Sequence, residues 1–366
     1  MGKPRICCII PSLNAGGMER VMSELLEYFA GIRNTDMHLV MYGKYPSIFY
    51  PMPKNLTIHK PGFNFNDTKR LWYTIKTISF IRKTIKTINP DTILSFGELW
   101  NSLVLISLAG TGYPVYISDR CQPNRPFGFM HGFLRKVFYP QAKGIISQTT
   151  QAKEIYFRKF KHPNISVIGN PIRLPGFDQN DSHRDQSILT VGRLIHSKHH
   201  DRLITMFGNL DTPGWKLKIV GGNALRQDNF SKLTQLVTRM GLDDRVLLTG
   251  EVKNVAEYYQ TCRIFAFTSS SEGFPNVVLE ALAYGMPVVA YDCTTGPSEM
   301  VIDGYNGYLV PLHDEETFSK RLQTLVDNPE LLIQMSENAS RSVEQFDMAN
   351  VGEKFHYFIT SHLDQK

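Results

Sequence analysis

The stretch "IFAFTSSSEGFPNVVLEALAYGMPVVA", residues 264–290, contains the unit on which the fold of this chain is built. It opens with a short apolar run over 264–269, and a second apolar run begins at Pro287. Between them, Pro275 suits a first helical turn, and Gly285 marks the end of a helix. The pattern therefore predicts a strand, a loop, a helix and a second strand, which is the arrangement that builds parallel sheets.

The same alternation extends over the whole chain of 366 residues, of which 42% are hydrophobic and 20% charged. This composition is that of a globular protein, and the length suits two domains. The predicted strands cover 5–11, 37–43, 92–97, 114–119, 144–149, 165–171, 187–193, 216–222, 245–250, 264–269, 287–292 and 307–311. Because nearly continuous apolar strands alternate with helices, we predict an α/β fold with two doubly wound parallel sheets.

A polar segment with two prolines and a glycine divides these strands into two sets. It covers 171–187 and has the composition of a linker. We therefore predict a first domain over 1–170 and a second over 188–344. Ligands of doubly wound sheets bind at the carboxyl ends of the strands, so we expect a ligand cleft between two facing domains.

Charge and cysteine content limit the classes of function. The formal net charge of +6 suits an anionic ligand or an acidic membrane surface and does not by itself indicate nucleic acid. The five cysteines form no C-x-x-C pair, which favours reduced, buried thiols and no zinc site. No run approaches the roughly 18 apolar residues of a membrane span, and the first residues do not resemble a signal peptide. We expect a cytoplasmic protein whose membrane contact, if any, is peripheral.

Two loops that follow predicted strands carry features suited to phosphate. Gly16 and Gly17 precede a helix, where backbone can approach an anionic ligand closely, although a tight turn without ligand explains them equally well. Arg193 and Lys198 follow the strand at 187–193, where two cations could hold a phosphate. The alternative for this pair is two solvated surface cations. The neighbouring histidines, 196, 199 and 200, suggest a metal, but no Cys or Asp cluster completes such a site, and we predict none.

Two carboxylates lie close together in the sequence, Glu272 in the loop at 272–276 and Glu280 after that loop. Glu280 falls on a helix of mostly apolar residues, where a buried carboxylate is costly unless it is hydrogen-bonded. A ribose offers two hydroxyl donors to one such carboxylate. Glu272, at the end of the preceding strand, is placed to accept hydroxyls from a second sugar. The alternative is a salt-bridged Glu280 and a solvent-facing Glu272.

Taken together, these motifs resemble a known family, the retaining GT-B glycosyltransferases of family 4. The resemblance covers nearly the whole chain and rests on "GGMER" (16–20), "VGRL" with Lys198 (191–198), "EGFPNVVLE" (272–280), "GMPVVA" (285–290) and "DGYNGYLVP" (303–311). It implies two Rossmann-like domains facing across a cleft, of which the first (1–170) binds the acceptor and the second (188–344) binds the donor. The donor implied is a nucleotide sugar, with a UDP-sugar expected. The segment 344–363 resembles the last helices of the family, so a helix at about 345–366 is expected to pack back on the first domain.

The resemblance also implies roles for individual residues. Arg193 and Lys198 would neutralise the departing diphosphate, Glu272 would bind the donor sugar, and Asp119 would take the place of a first-domain histidine, with Arg120 as the alternative. Glu280 would hold the ribose. The remaining donor contacts implied are Gly16, Gly17, Gly250, Val252, Gly273, Phe274, Pro275, Asn276 and Val277. Members of the family need no bound metal and no cofactor beyond the nucleotide sugar, and no protein nucleophile is expected.

Two basic amphipathic segments, 68–88 and 125–144, bear on the acceptor. Such segments can lie on anionic membranes, although an ordinary surface helix packed on the sheet has the same pattern. We expect a retaining hexosyltransferase that transfers a hexose or N-acetylhexosamine to a saccharide or polyprenyl-linked acceptor in bacterial surface-polysaccharide synthesis. We therefore expect the protein in the cytoplasm, and at the cytoplasmic face of the inner membrane when the acceptor is lipid-linked. The alternatives are a nucleotide-sugar epimerase of related fold and an inactive transferase-like subunit that binds a partner.

Overall fold

A computed structural model of the chain describes residues 3–44, 47–174 and 184–363. They fall into two compact units, which we call unit 1 (1–171 and 348–366) and unit 2 (172–347). Of the predicted linker over 171–187, residues 175–183 lie outside the described part of the chain. Residues 172–174 and 184–187 belong to unit 2.

Unit 1 is built on a parallel sheet that has seven strands in the described residues, in the order β3-β2-β1-β4-β5-β6-β7. The strands are β1 (Arg5–Ile10), β2 (Asp36–Met41), β3 (Leu56–His59), β4 (Thr92–Phe96), β5 (Val115–Ser118), β6 (Gly144–Ser147) and β7 (Ile165–Val167). Strand order reverses between β1 and β4, so their carboxyl ends form the topological switch point at which such sheets bind ligands. Strand β3 is missing from the sequence prediction because it is a four-residue edge strand with no fully buried residue.

Six helices among the described residues cover the sheet of unit 1. They are α1 (Gly17–Gly31), α2 (Arg70–Ile88), α3 (Asn101–Leu108), α4 (Gly128–Phe138), α5 (Thr150–Phe160) and α12 (Met348–Thr360). The helix α12 joins this unit from the far end of the chain. The ring of Tyr28 lies so close to Gly352 that any Cβ there would come within 2.6 Å of it. The hydroxyl of Thr92 donates a hydrogen bond of 2.7 Å to the carbonyl of Ile359.

Unit 2 has a parallel sheet of six strands in the described residues, in the order β10-β9-β8-β11-β12-β13. The strands are β8 (Ser187–Val191), β9 (Lys216–Val220), β10 (Val246–Gly250), β11 (Ile264–Phe267), β12 (Val288–Asp292) and β13 (Gly307–Pro311), and the helices are α6 (His200–Gly208), α7 (Asn229–Arg239), α8 (Ala256–Thr261), α9 (Asn276–Ala283), α10 (Glu315–Asp327) and α11 (Pro329–Ser342). Here the strand order reverses between β8 and β11. The carboxyl ends of these two strands therefore form the switch point of unit 2.

Both faces of the unit 2 sheet are buried, which explains its nearly continuous apolar strands. On β8, Ile188 belongs to a core cluster with Phe207, whereas its neighbour Leu189 belongs to a second cluster with Leu282. Successive strand residues point to opposite faces, so the two clusters lie on opposite sides of the sheet. The predicted α/β architecture of two doubly wound sheets is confirmed. Among the described helices, none combines the length and apolarity needed to cross a bilayer.

Candidate functional site

The switch point of unit 2 brings together two residues that are distant in sequence, Lys198 and Glu272. Lys198 ends a short 3-10 helix after β8, and Glu272 lies in the loop after β11. The Nζ of Lys198 forms an ion pair with Oε1 of Glu272, and their side chains are 18% and 16% exposed. Two of the predicted site residues are therefore in direct contact, in a partly buried position.

The backbone of the two loops fixes this ion pair. The amide of Ser270 donates to the carbonyl of Ser197 at 2.9 Å, and the hydroxyl of Thr268 donates to the carbonyl of Lys198 at 2.7 Å. The ammonium of Lys198 also lies 5.5 Å from the centre of the Phe267 ring. The end of β11 therefore positions the lysine that follows β8.

Arg193 differs from Lys198 in its surroundings. Its side chain is exposed, and its guanidinium has no hydrogen bond or ion pair within the described ranges. Its carbonyl accepts hydrogen bonds from the amide of Ile195 at 2.8 Å and from Nε2 of His200 at 3.4 Å. The loop backbone is thus fixed while the charged group stays in contact with solvent, where a ligand can reach it.

Two of the neighbouring histidines, His199 and His200, are buried. His200 is 4% exposed, and burial lowers its pKa to about 4, so its imidazole is neutral near pH 7. His199 is 5% exposed and has a left-handed backbone, with a φ of 51°. In the part of the chain that the structure describes, no group of three or more His, Cys, Asp or Glu side chains is arranged to hold a metal ion.

Helix α9 buries one face and leaves a half-exposed stripe. Val278 and Leu279 are buried, whereas Asn276, Val277 and Glu280 are half-buried. The expectation that Glu280 is a buried carboxylate on an apolar helix is therefore wrong. The helix is apolar on the face that packs on the sheet, and Glu280 lies on the opposite side.

Two tyrosines surround the Glu280 carboxylate. The hydroxyl of Tyr259 donates to Oε2 of Glu280 at 3.0 Å, and the rings of Tyr259 and Tyr284 stack with centroids 5.5 Å apart. Burial, and then the charge of Glu280, raise the pKa of Tyr284. Neither tyrosine was predicted from the sequence as part of the site. Tyr284 could have been found, because it lies four residues after Glu280 on the same helix stripe, whereas nothing in the sequence near Tyr259 indicates this contact.

The loop over 273–275 is braced by the segment that follows β12. The hydroxyl of Thr295 donates to the carbonyl of Glu272 at 2.7 Å. At Gly296, φ is 122°, and a Cβ would come within 2.3 Å of Cδ of Pro275. Phe274 is 8% exposed and contacts the ring of Phe346. The backbone between the two glutamates is therefore rigidly placed, and Thr295 and Gly296 are supporting residues that the sequence analysis did not identify.

Gly250 and Val252, which the resemblance implies as donor contacts, lie at the same edge of the sheet. Gly250 ends β10 with a φ of 69°, and its carbonyl accepts from the amide of Gly221 at 3.0 Å. Val252 follows and is half-buried. Strand β10 is two places from β8, which corresponds to about 10 Å.

The glycine pair at the start of α1 belongs to unit 1. Gly16 is the N-cap of α1, and its amide and carbonyl both bond the hydroxyl of Tyr50, at 3.0 Å and 2.9 Å. Gly17 is the first residue of the helix and is exposed. The pair therefore lies at a helix N-terminus beside the switch point of unit 1. Its contact with the donor stays a prediction.

The catalytic role expected for Asp119 does not fit its surroundings. Its side chain has no exposed surface, and it forms an ion pair with Arg135, which is also buried. The carboxylate accepts hydrogen bonds from Tyr139 at 2.7 Å and from Nδ2 of Asn101 at 3.0 Å. A carboxylate enclosed in this way cannot contact a substrate in this conformation. Asp119 instead holds α3 and α4 to the end of β5.

Arg120, the alternative to Asp119, is closer to solvent and also has protein partners. Its guanidinium carbon lies 4.3 Å from the centre of the Phe96 ring, and Nη1 donates to Oδ1 of Asn170 at 2.7 Å. Burial lowers its pKa to about 9, so the group remains charged near pH 7. These contacts position a cation at the carboxyl end of β5.

Comparisons with known proteins identify the family of this chain. The family model described as "Glycosyl transferases group 1" matches residues 177–342, and "Glycosyltransferase Family 4" matches residues 15–174. The amylovoran biosynthesis glycosyltransferase AmsD of Erwinia amylovora is 30% identical over 87% of this chain and 88% of its own length. An uncharacterized glycosyltransferase of Haemophilus influenzae is 32% identical over 93% of this chain and 96% of its own length.

Solved structures show the same fold. The lipopolysaccharide outer core galactosyltransferase WaaB superposes with a TM-score of 0.82 at 20% identity, over 98% of this chain and 99% of that one. HepE of Anabaena, solved with UDP, gives a TM-score of 0.80 at 18% identity, over 98% of this chain and 100% of that one. The fold and the family matches thus define a GT-B glycosyltransferase. More narrowly, the chain belongs to glycosyltransferase family 4, so the predicted family and the prediction of a glycosyltransferase are confirmed.

Proposed function

We propose that this enzyme is a retaining hexosyltransferase that moves a hexose or N-acetylhexosamine from a UDP-sugar to a saccharide or lipid-linked saccharide. The observation that carries the proposal is the contact between Lys198 and Glu272 at the switch point of unit 2. A sugar diphosphate has an anionic diphosphate at one end and a sugar with free hydroxyls at the other, and a cation beside a carboxylate can bind both. The lysine suits the diphosphate, and the carboxylate accepts hydrogen bonds from sugar hydroxyls.

The other donor contacts follow from the same edge of the sheet. The exposed guanidinium of Arg193 adds a second positive charge for the diphosphate. Glu280, oriented by the hydroxyl of Tyr259, accepts the ribose hydroxyls. Gly250 and Val252, at and after the end of β10 in the same sheet, would contact the base. In this arrangement the donor extends along the carboxyl ends of β11, β8 and β10.

The reaction needs no protein nucleophile in this proposal. The bond between the anomeric carbon and the diphosphate oxygen breaks, and the acceptor hydroxyl oxygen forms its bond to the same face of that carbon. The proton of the acceptor hydroxyl passes to the departing phosphate oxygen. Lys198 and Arg193 stabilise the charge that develops on the diphosphate, and Glu272 holds the sugar in position. No metal ion is required for these steps.

Relatives with printed activities support the substrate classes. A Campylobacter jejuni enzyme, 24% identical over 96% of this chain and 97% of its own length, is an N-acetyl-D-galactosaminyltransferase that acts on a saccharide attached to diphospho-undecaprenol. HepE has been solved with UDP-glucose as well as with UDP. We extend both classes, a UDP-sugar donor and a polyprenyl-linked acceptor, to this enzyme.

The donor assignment is tested by thermal-shift measurements against UDP, GDP and ADP and their sugars. We expect a shift with UDP and with at least one UDP-sugar, and a smaller UDP shift in Lys198→Ala. The matched control is Lys218→Ala, which removes a partly buried lysine paired with Asp185 in the same unit. Absence of a shift with any nucleotide would refute the donor site and favour the partner-subunit alternative.

The transfer itself is tested with the identified UDP-sugar and saccharide acceptors. Both Glu272→Gln and Lys198→Ala should lose transfer while keeping their fold. The NMR coupling constant of the product should show the anomeric configuration of the donor. Inversion of that configuration would exclude the retaining course. Conversion of the donor to an epimer without acceptor would identify an epimerase instead.

We also propose that unit 1 contacts an anionic membrane through the N-terminal half of α2 and through α4. The C-terminal half of α2 packs on the sheet through Ile81, Ile85 and Ile88. Elsewhere on these helices, large apolar side chains are exposed, at Leu71, Trp72, Ile75, Phe129, Met130, Phe133 and Val137. Lys69, Arg70 and Lys136 lie among them. Apolar and basic residues combined in this way favour an anionic bilayer surface.

Vesicle sedimentation tests the membrane proposal. Binding to vesicles of phosphatidylglycerol should be strong at low salt and weaker at high salt. It should decrease in Phe129→Ser, whose ring is 91% exposed. Tyr357→Ser is the matched control, because Tyr357 is 70% exposed on α12 of the same unit. A protein that ignores these vesicles at low salt would contradict this part of the proposal.

A further inference from the structure

The turn that carries Lys198 ends on a residue with an unusual backbone conformation, His199. Its φ of 51° and ψ of 41° lie in the left-handed region, which is uncommon for residues other than glycine. His199 is also the N-cap of α6, and its carbonyl accepts from the amide of Leu203 at 3.1 Å. Such a conformation persists only where the surroundings hold it, so the contacts of His199 are what fixes the turn.

The ring of His199 contacts the rings of two other histidines. Its centroid lies 5.3 Å from that of His196 and 5.2 Å from that of His313, in both cases edge to face. His196 belongs to the same turn, whereas His313 follows β13 and lies beside the buried ring of Tyr291, with centroids 6.1 Å apart. We call His196, His199 and His313 the histidine cluster. It joins the loop after β8 to the loop after β13.

Stability alone does not explain a histidine at position 199. The residue is 5% exposed, and its Nε2 is buried without a hydrogen-bond partner among the described residues. Burial lowers the pKa of His199, and the charge of Arg202 lowers it further, so the ring is neutral near pH 7. An unpaired buried nitrogen and a left-handed backbone both cost free energy. Two such costs in the residue that follows Lys198 indicate a role in the site.

The direction of the Lys198 side chain depends on the backbone of this turn. The amide of His199 donates to the carbonyl of His196 at 3.1 Å and closes the turn. From there the aliphatic part of Lys198 passes over Gly192, where an added Cβ would lie 3.4 Å from Cε of the lysine. The ammonium then reaches Glu272. A different backbone conformation at His199 would rotate the peptide that it shares with Lys198 and would move this side chain.

We propose that His199 is a positioning residue for Lys198, and that the ring of His313 helps to hold His199 in its left-handed conformation. The role is indirect, because the buried ring acts through the peptide between the two residues. This inference rests on the proposed function, since it takes Lys198 to bind the donor diphosphate. It gives the histidines a role other than the metal site considered from the sequence, and it connects the loop after β13 with the donor.

Titration calorimetry of the full chain with UDP compares two substitutions at position 199. Asparagine tolerates the left-handed region, whereas a β-branched residue adopts it only with strain. His199→Asn should therefore weaken UDP binding by less than about threefold, and His199→Val by about tenfold, because only molecules with the turn in place bind the diphosphate fully. Equal losses in the two variants, or no loss in His199→Val, would overturn the proposal.

The contact with the loop after β13 is tested at His313. His313→Ala removes one ring from the cluster and should weaken UDP binding about threefold, the effect of one lost ring contact. The matched control is His59→Ala, which removes an imidazole that contacts the ring of His38 in unit 1, with centroids 5.3 Å apart. This control should bind UDP like the wild type. An unchanged affinity in His313→Ala, or an equal loss in the control, would contradict the part assigned to His313.

The same substitutions are then made in Lys198→Ala. A residue that acts through Lys198 loses its effect when that lysine is absent, so His199→Val and His313→Ala should now change the affinity for UDP by less than about twofold. A general loss of structure would weaken binding in both backgrounds. Effects that persist in full without Lys198 would therefore show a structural role and would overturn the proposal.

Failure of this inference can be told from failure of the proposed function. A wild-type protein that does not bind UDP, or a Lys198→Ala variant that binds UDP as the wild type does, would contradict the donor site itself. UDP binding that Lys198→Ala weakens but His199→Val and His313→Ala leave unchanged would overturn the positioning role alone and leave the donor site intact.

Discussion

Replacing Glu272 with glutamine should strengthen the binding of UDP while it abolishes sugar transfer. In the structure, the Lys198 ammonium is already paired with the Glu272 carboxylate. A diphosphate must therefore compete with that carboxylate for the same cation, and its own negative charge is repelled by it. Glutamine keeps the shape of the side chain but removes both the competition and the repulsion.

The size of the effect follows from the contact geometry. A phosphate oxygen on the free side of the Lys198 ammonium would lie about 6 Å from the Glu272 carboxylate. Two unit charges at about 6 Å with an effective dielectric constant of about 40 repel by about 1.4 kcal/mol, or tenfold in affinity. The dielectric constant is taken between about 20, the value for pairs near a protein surface, and that of water, because the phosphate approaches the ammonium from the solvent side. The intact UDP-sugar should gain less, because its sugar loses the carboxylate acceptor.

Titration calorimetry with UDP and with the UDP-sugar measures both affinities, at low and at high salt. The expected pattern is a gain of about tenfold for UDP that decreases as salt screens the charges, a smaller gain for the UDP-sugar, and loss of turnover. Glu315→Gln is the matched control, since Glu315 is paired with Arg202 elsewhere in unit 2. Weaker binding of UDP in Glu272→Gln would refute the reasoning, and so would an equal gain in the control.

Three further predictions concern stability. Gly296→Ala should lower the free energy of unfolding by about 2 kcal/mol or more, because φ is 122° and the new Cβ would come within 2.3 Å of the Pro275 ring. Gly304→Ala is the control, because Gly304 has a positive φ but no atom within 4 Å of an added Cβ, and it should cost less. Equal losses of unfolding free energy in urea titrations would contradict the steric explanation. Asp119→Asn should cost about 3–5 kcal/mol by leaving Arg135 buried without its counter-charge, and a loss below about 1 kcal/mol would show that the ion pair matters little. Burial lowers the pKa of His200 from 6.5 to about 4, so between these pH values the unfolded chain binds a proton that the folded chain does not. The folding stability present above pH 6.5 should therefore decrease as the pH falls towards 4. His200→Gln should reduce that decrease, and a pH profile of stability that the variant leaves unchanged would refute the assignment.

Much of the fold could be predicted from the sequence because each buried parallel strand forms its own apolar run. Twelve of the strands lie within the predicted ranges or extend one residue beyond them. Strand β3 could not be found in this way, since its pairing with β2 depends on register and its four residues remain partly exposed. A short edge strand has little sequence signal of its own.

The donor residues were predictable in part for a similar reason. Lys198 and Glu272 follow strands that become neighbours at the switch point, so topology alone places them close together. The surroundings of a carboxylate were harder to predict. An apolar helix pattern suggested burial for Glu280, although the helix buries only one side. Asp119 was assigned to the donor side because the resemblance places it where the family has a first-domain histidine. Its partners Arg135 and Tyr139 come from α4 and the turn after it, and only the packing of that segment reveals them.

The position of α12 affects the order in which the enzyme can form during synthesis. Unit 2 is one continuous stretch over 172–347, whereas unit 1 needs both the first 171 residues and the segment after 347. Its core includes Phe355 and Ile359, which lie beside β4 only once the last helix has been made. On the ribosome, unit 1 must therefore wait with part of its core uncovered until unit 2 has been synthesised. The first unit to be translated is the last that can be completed.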